Sequence, residues 1–304
     1  MLPGAIVLGV SLYLIYHYTP ALHAWGHWLH PVASEGQRLV IALLLFFQFV
    51  KISPHDLKIS RWHLGALLVQ VLGFLALAVL VVLTSGHVRM LLECAMLCLI
   101  CPTASAAGVI TDRLGGNLAG TVTYVVMINV AATFLIPLII PLVNPSSTLG
   151  FWAYVGHIAL KVFPVLILPG LLAWLIRYTT HRLQRRLMRW SSNSFYIWGV
   201  GLTLAMLLAT RALMLSGLGL WTIGGIVLVS LVCCFLQFFL GRQMGRTPID
   251  RLTAGQSLGQ KNTGFLIWLG YNYLTPVTSV AGGLYAIWQN LFNSWELYQK
   301  EHKE

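Results

Sequence analysis

The chain of 304 residues is 58% hydrophobic, and only 9% of it is Asp, Glu, Lys or Arg. A soluble domain carries about 25% charged residues, so these few charges, with a mean hydropathy of +0.78, exclude a soluble enzyme, a nucleic-acid binder and a disordered chain. The net charge of +11 would suit a polyanion, but the basic residues collect in short links between apolar runs, which in a membrane protein is an orientation signal.

Apolar runs long enough to cross a bilayer core of about 30 Å are predicted at 3–20, 36–52, 63–84, 88–113, 117–143, 150–177, 192–214, 219–243, 251–271 and 274–297. The first has no Lys or Arg before it and no small-residue cleavage pattern after it, so it reads as a span rather than a leader. Lys51, Lys58 and Arg61 follow the second run, and Arg113 follows the fourth. Arg177, Arg182, Arg185, Arg186 and Arg189 follow the sixth, Arg242, Arg246 and Arg251 the eighth, and Lys300 and Lys303 the tenth. Links after odd runs hold little beyond Arg38 and Arg89 at their edges. The expected fold is therefore all-α and polytopic, ten transmembrane helices as two inverted five-helix repeats (1–145 and 146–304), with both termini cytoplasmic.

A pair of interrupted helices at corresponding positions of two halves points to a transporter site. The fourth run meets Pro102, Thr103, Ala104, Ser105, Ala106, Ala107 and Gly108, where proline removes a backbone donor and small side chains leave room to unwind. The ninth meets Thr253 to Gly264, too polar for lipid. Such backbone is tolerated at membrane depth only where protein or a cavity surrounds it. The plainer alternative is a proline kink beside a polar packing seam.

The stretch CPTASAAGVITDRLGGN (Cys101 to Asn117) resembles the fourth-span crossover of the bile acid:sodium symporter family. SLGQKNTG (Ser257 to Gly264), with Tyr285-Ala286-Ile287-Trp288-Gln289-Asn290, is similar to its ninth-span crossover and last helix, and Pro54-His55-Asp56-Leu57-Lys58 fits its second link. The likeness covers roughly residues 35 to 295. It implies panel and core domains, alternating access of the elevator kind, and inward carriage of organic anions with two sodium ions. Arsenite and auxin exporters share the fold.

Carried over position by position, the resemblance fails at the sodium sites. The family's shared carboxylate falls at Ser257, its Ser and Asn ligands at Ala107 and Gly108, and a Thr ligand at Val125. Thr121 keeps a hydroxyl and Gln70 a glutamine, but the ninth-span glutamine is Lys261, next to Gln260. Sodium is a hard cation that needs several oxygens, so sodium coupling is not expected. Lys261 reads as a tethered replacement for one ion. Its proton would then be the coupling species; a permanent charge would instead make a cation-independent carrier. A charged Lys at membrane depth costs about 2.5–3.5 kcal/mol and marks a functional site. Snorkelling to one face is the alternative, although Lys261 lies near mid-span.

Half-helix N-termini suit an anion, so Ser105, Ala106, Ala107 and Gly108 with Asn262, Thr263 and Gly264 are the candidate substrate residues. Asn290, Asn129 and Thr133 either line the cavity or bond across helices. Cys94, Cys98 and Cys101 share one helix face, which suits packing more than a soft metal or arsenite. His23, His27 and His30 repeat that spacing beside Trp25 and Trp28, as an interfacial helix does, although zinc accepts three imidazoles. Glu93 and Arg89 are spaced to pair, and neither they, Arg211 nor Lys161 is assigned chemistry. No nucleophile–base pair or phosphate loop appears, so an enzyme is not expected. Nor is a cofactor or a nucleic-acid partner.

The sequence thus reads as a secondary transporter of a small or amphipathic organic anion, set in a bilayer that the resemblance makes the bacterial inner (plasma) membrane. A sodium symporter using backbone carbonyls, an arsenite- or auxin-type exporter, and a non-transporting receptor of the same fold remain as alternatives.

Overall fold

The computed structural model describes residues 2–146, 148–191 and 194–302; Lys303, counted above among the basic links, lies outside them. Among the described residues every regular element is helical. The α-helices are α1 (Leu2–Tyr18), α2 (Gly26–Val50), α3 (Arg61–Leu83), α4 (Gly86–Ile100), α5 (Ala107–Arg113), α6 (Leu118–Val143) and α7 (Phe151–Leu166). They continue with α8 (Leu168–Thr179), α9 (His181–Trp190), α10 (Ser194–Ser216), α11 (Leu220–Met244), α12 (Pro248–Gly259), α13 (Thr263–Tyr273) and α14 (Ser279–Glu301).

Five helices are long and apolar enough to cross a membrane, and α7 with α8, bent by 41°, makes a sixth. This is a membrane-embedded fold. Its outer surface shows why: Leu64, Leu68, Leu72, Val79 and Val82 of α3 are all exposed, and only 28% of that helix's most apolar stretch is buried inside the protein. A contiguous apolar face of that kind requires lipid or a partner as its solvent.

Local chemistry fixes most helix ends. Asn117 caps α6 by accepting from Gly120 N at 3.0 Å, and Thr247 caps α12 from Asp250 N at 3.1 Å with Pro248 behind it. Three elements differ from expectation, the first being the basic link after the sixth run, which forms the helix α9. The second helix begins at Gly26 rather than 36, taking in Pro31, because an early proline forfeits only one hydrogen bond in a helix otherwise well packed. The sixth run, expected as one helix, breaks at Ile167 between Pro164 and Pro169.

α1 packs on α10, and α2 packs on both α10 and α8. α3 lies along α4 and α6, while α11 lies along α12 and α14. The α11–α12 contact is backbone-close: a Cβ on Gly241 would meet Gly255 Cα at 2.8 Å, the approach that small residues permit between membrane helices. The main core gathers Phe74, Leu97, Ile226, Phe265, Trp268 and Tyr285 from these helices and α13.

Candidate functional site

Two interruptions meet in that core. α4 stops at Ile100, because Pro102 has no N–H to continue it. The chain then runs irregularly to Ala106 before α5 begins. α12 stops at Gly259, and after Gln260, Lys261 and Asn262 the chain resumes as α13. The two breaks lie antiparallel and form an isolated β-bridge between Thr103 and Lys261. Ala104 N donates to Gln260 O at 3.0 Å, and Asn262 N donates to Pro102 O at 2.8 Å.

Thr103 and Lys261 are both 0% exposed, so every polar atom here needs a partner within the protein. Gln289 of α14 supplies two: its Oε1 accepts from Lys261 N at 2.8 Å and its Nε2 donates to Lys261 O at 3.2 Å. Thr103 Oγ1 donates to Ser257 O at 2.6 Å, and Tyr285 OH to Gly259 O at 2.8 Å. Carbonyls at the end of α4 are met in the same way. Gln70 Nε2 donates to Cys101 O at 3.0 Å and Gln237 Nε2 to Cys98 O at 3.2 Å, while Tyr124 OH donates to Gln70 Oε1 at 2.7 Å.

Lys261 Nζ reaches Leu99 O at 3.5 Å, the outer limit of a hydrogen bond. Lys261 Nζ therefore sits at the C-terminal end of α4, the end of a helix at which a donor is accommodated.

The crossover is formed by residues remote in sequence that no pairwise motif links. No family model matches the chain, and no curated protein matches it. The site's reading rests on its own geometry.

That geometry brings together Gln70, Ser257, Gln260, Lys261 and Asn262 around the crossing. Ser257 Oγ is buried and has no hydrogen-bond partner among the described residues. Gln260 Nε2 bonds Gln256 Oε1, Gln256 Nε2 bonds Glu296 Oε2, and Glu296 is ion-paired with Arg242. Asn262 Oδ1 caps α13 by accepting from Phe265 N at 3.2 Å, so this half-helix end, expected to offer free N–H groups, is partly satisfied by its own side chain. Thr263 is buried and Gly264 half-buried. On the other half-helix, Ser105 and Ala106 are half-buried, Ala107 and Gly108 are buried, and α5 has no side-chain cap.

Other expected residues are engaged elsewhere. Thr121 Oγ1 donates to Thr111 Oγ1 at 3.2 Å, and Asn290 Nδ2 donates to Ala286 O at 2.7 Å within its own helix. Asn129 Nδ2 reaches Leu166 O at 3.4 Å and Thr133 bonds Asn129 O at 2.7 Å, both inter-helix or local bonds. Arg89 Nε pairs with Glu93 at 3.1 Å as the spacing implied. Among the described residues no group of three His, Cys, Asp or Glu is placed to hold a metal, and the His27 side chain lies outside them. Cys94, Cys98 and Cys101 are buried and unbridged.

Gln237, Tyr124 and Glu296 are not identified by the sequence, and Tyr285 and Gln289 are marked there only as part of the stretch that resembles the family's last helix. A glutamine, a tyrosine and a glutamate recurring within one otherwise apolar last run were the available signal.

Proposed function

We propose that the chain is a secondary transporter that carries a small or amphipathic organic anion past this crossover by alternating access. The carrying observation is the buried antiparallel crossing of two broken helices with Lys261 at its centre, because irregular polar backbone within a membrane fold is the usual setting of a transport site. In this reading ten segments cross the bilayer: α1, α2, α3, α4 with α5, α6, α7 with α8, α10, α11, α12 with α13, and α14. The packing supports two inverted halves. α1 on α10 has its counterpart in α8 on α2, α3 along α4 in α11 along α12, α3 along α6 in α11 along α14, and α5 on α6 in α13 on α14. An even number of crossings agrees with basic links after each even one, and so with both termini in the cytoplasm of a bacterial inner (plasma) membrane. The resemblance of residues 101–117 and 257–264 to the bile acid:sodium symporter family points the same way.

Lys261 takes the place of a sodium ion in this mechanism. The Leu99 carbonyl at the end of a half-helix, the type of oxygen that holds a coupling ion in broken-helix carriers, faces an ammonium instead. Ala107, Gly108 and Val125 supply no side-chain oxygen to complete a sodium shell. The anion would lie near Ser105 and Ala106, which are half-buried. A second reading, sodium symport, draws on one observation: the partnerless buried hydroxyl of Ser257, beside backbone carbonyls, is a site a cation would satisfy.

The reading is tested in proteoliposomes with labelled bile acids and smaller carboxylates, assayed by counterflow. Ala106→Cys, in a background lacking the native cysteines, should react with a membrane-impermeant maleimide from either side. Saturable counterflow with two-sided labelling is expected. Binding without counterflow, labelled from one side only, would identify a receptor.

A further inference from the structure

Helix α9 is unlike every other helix of the chain. Its ten residues carry Arg182, Arg185, Arg186 and Arg189, spaced i, i+3, i+4 and i+7, so the four guanidinium groups share one face. Leu183, Leu187 and Trp190 form a separate apolar stripe; Leu187 packs on the main core, while Leu183 and Trp190 are 41% and 64% exposed. The arginines with Thr180 and Leu183 line an open cavity of about 520 Å³.

The sequence contains no Asp or Glu between Asp112 and Asp250, and no ion pair among the described residues uses Arg182, Arg185 or Arg186. An external anion is the source of neutralisation that suits these three. α9 packs against α8 and α2, and α10, whose part Tyr196–Ser216 is apolar and of membrane length, begins four residues after it, so α9 adjoins the end of a segment long enough to span.

We propose that α9 is a binding site for the phosphate headgroups of acidic phospholipids. Guanidinium forks match phosphate oxygens two at a time. A basic stripe beside an exposed Leu and Trp is the pattern of a helix lying in the interface of an anionic membrane. A soluble phosphate would use the arginines but leave the apolar stripe without a role, which is why the lipid is the occupant. The proposal does not depend on transport.

The test uses the purified full chain in neutral detergent, titrated with phosphatidylglycerol or phosphatidylcholine while bound lipid is counted by native mass spectrometry. The variant R182Q/R185Q/R186Q/R189Q is compared with K51Q/K58Q/R61Q/R246Q, which removes equal charge elsewhere; R182Q/R186Q serves if the first fails to fold. Phosphatidylglycerol should bind in preference to phosphatidylcholine, and its half-saturating concentration should rise about tenfold or more in either α9 variant but little in the control. Equal binding of the two lipids, or equal loss in the control, overturns the site. Displacement of phosphatidylglycerol by an equal concentration of inorganic phosphate would overturn the lipid as its occupant.

Discussion

The two breaks that cross at Thr103 and Lys261 are held open by different means. The first, residues 101–106, is interrupted from within: Pro102 removes a donor, and the small residues Ala104 to Ala106 leave little reason for one rigid path. The second, residues 260–262, contains no proline and only one turn's worth of chain. It stays out of helix because other groups take over its backbone: Gln289 both polar atoms of Lys261, Pro102 O the Asn262 N–H, Ala104 N the Gln260 carbonyl. One break is a local property of its sequence and the other is a property of the assembled core. The difference predicts which is the more sensitive to distant substitutions.

The largest effect should come from Gln289→Leu. It strips the buried Lys261 N of its partner, at a cost of about 1–3 kcal/mol, while Lys261 O keeps the Thr263 N–H at 2.8 Å. Thermal unfolding in detergent reads this, and a loss below about 1 kcal/mol would mean that the second break holds itself open. Asn262→Ala comes next. Removing the α13 cap should cost about 1 kcal/mol, with Asn262→Asp retaining most of the stability; equal loss in both would place the side chain's role elsewhere. The smallest effect is expected for Pro102→Ala. The small residues Ala104 to Ala106 still interrupt the helix from within, so the change should cost only about 0.5 kcal/mol, the unfolded-chain entropy that the proline ring had removed. A large shift in either direction would show that Pro102 alone holds the first break open.

The same contrast explains what was legible in the sequence. Pro102 and the polar string from Thr253 to Gly264 announce both interruptions, whereas the basic link expected at Arg182 to Arg189 is itself a helix, α9. The bend at Ile167 and the extension of α2 through Pro31 to Gly26 are balances between one lost hydrogen bond and the packing around it, which periodicity does not weigh. At the site, Lys261, Gln70 and Ser257 could be named because a charge, an amide or an aligned position stood out. Gln289 stands in the stretch resembling the family's last helix, but its role is not legible: its partner lies 28 positions earlier, and nothing in the local pattern distinguishes it from Asn290, which bonds its own helix. Glu296 was hidden similarly, since its meaning comes from Arg242 and Gln256 on two other helices.

The proposed role of Lys261 as a built-in cation is tested most directly without any substrate. Thermal unfolding would be followed as sodium chloride replaces choline chloride at fixed ionic strength, for the wild type and for Ser257→Glu combined with Lys261→Gln. A ligand that binds only the folded protein stabilises it by about 2.7 kcal/mol at a hundredfold excess over its Kd. The account predicts no sodium-specific shift in the wild type and a clear one in the double variant. Stabilisation of the wild type by low-millimolar sodium would contradict it and make the protein a sodium symporter.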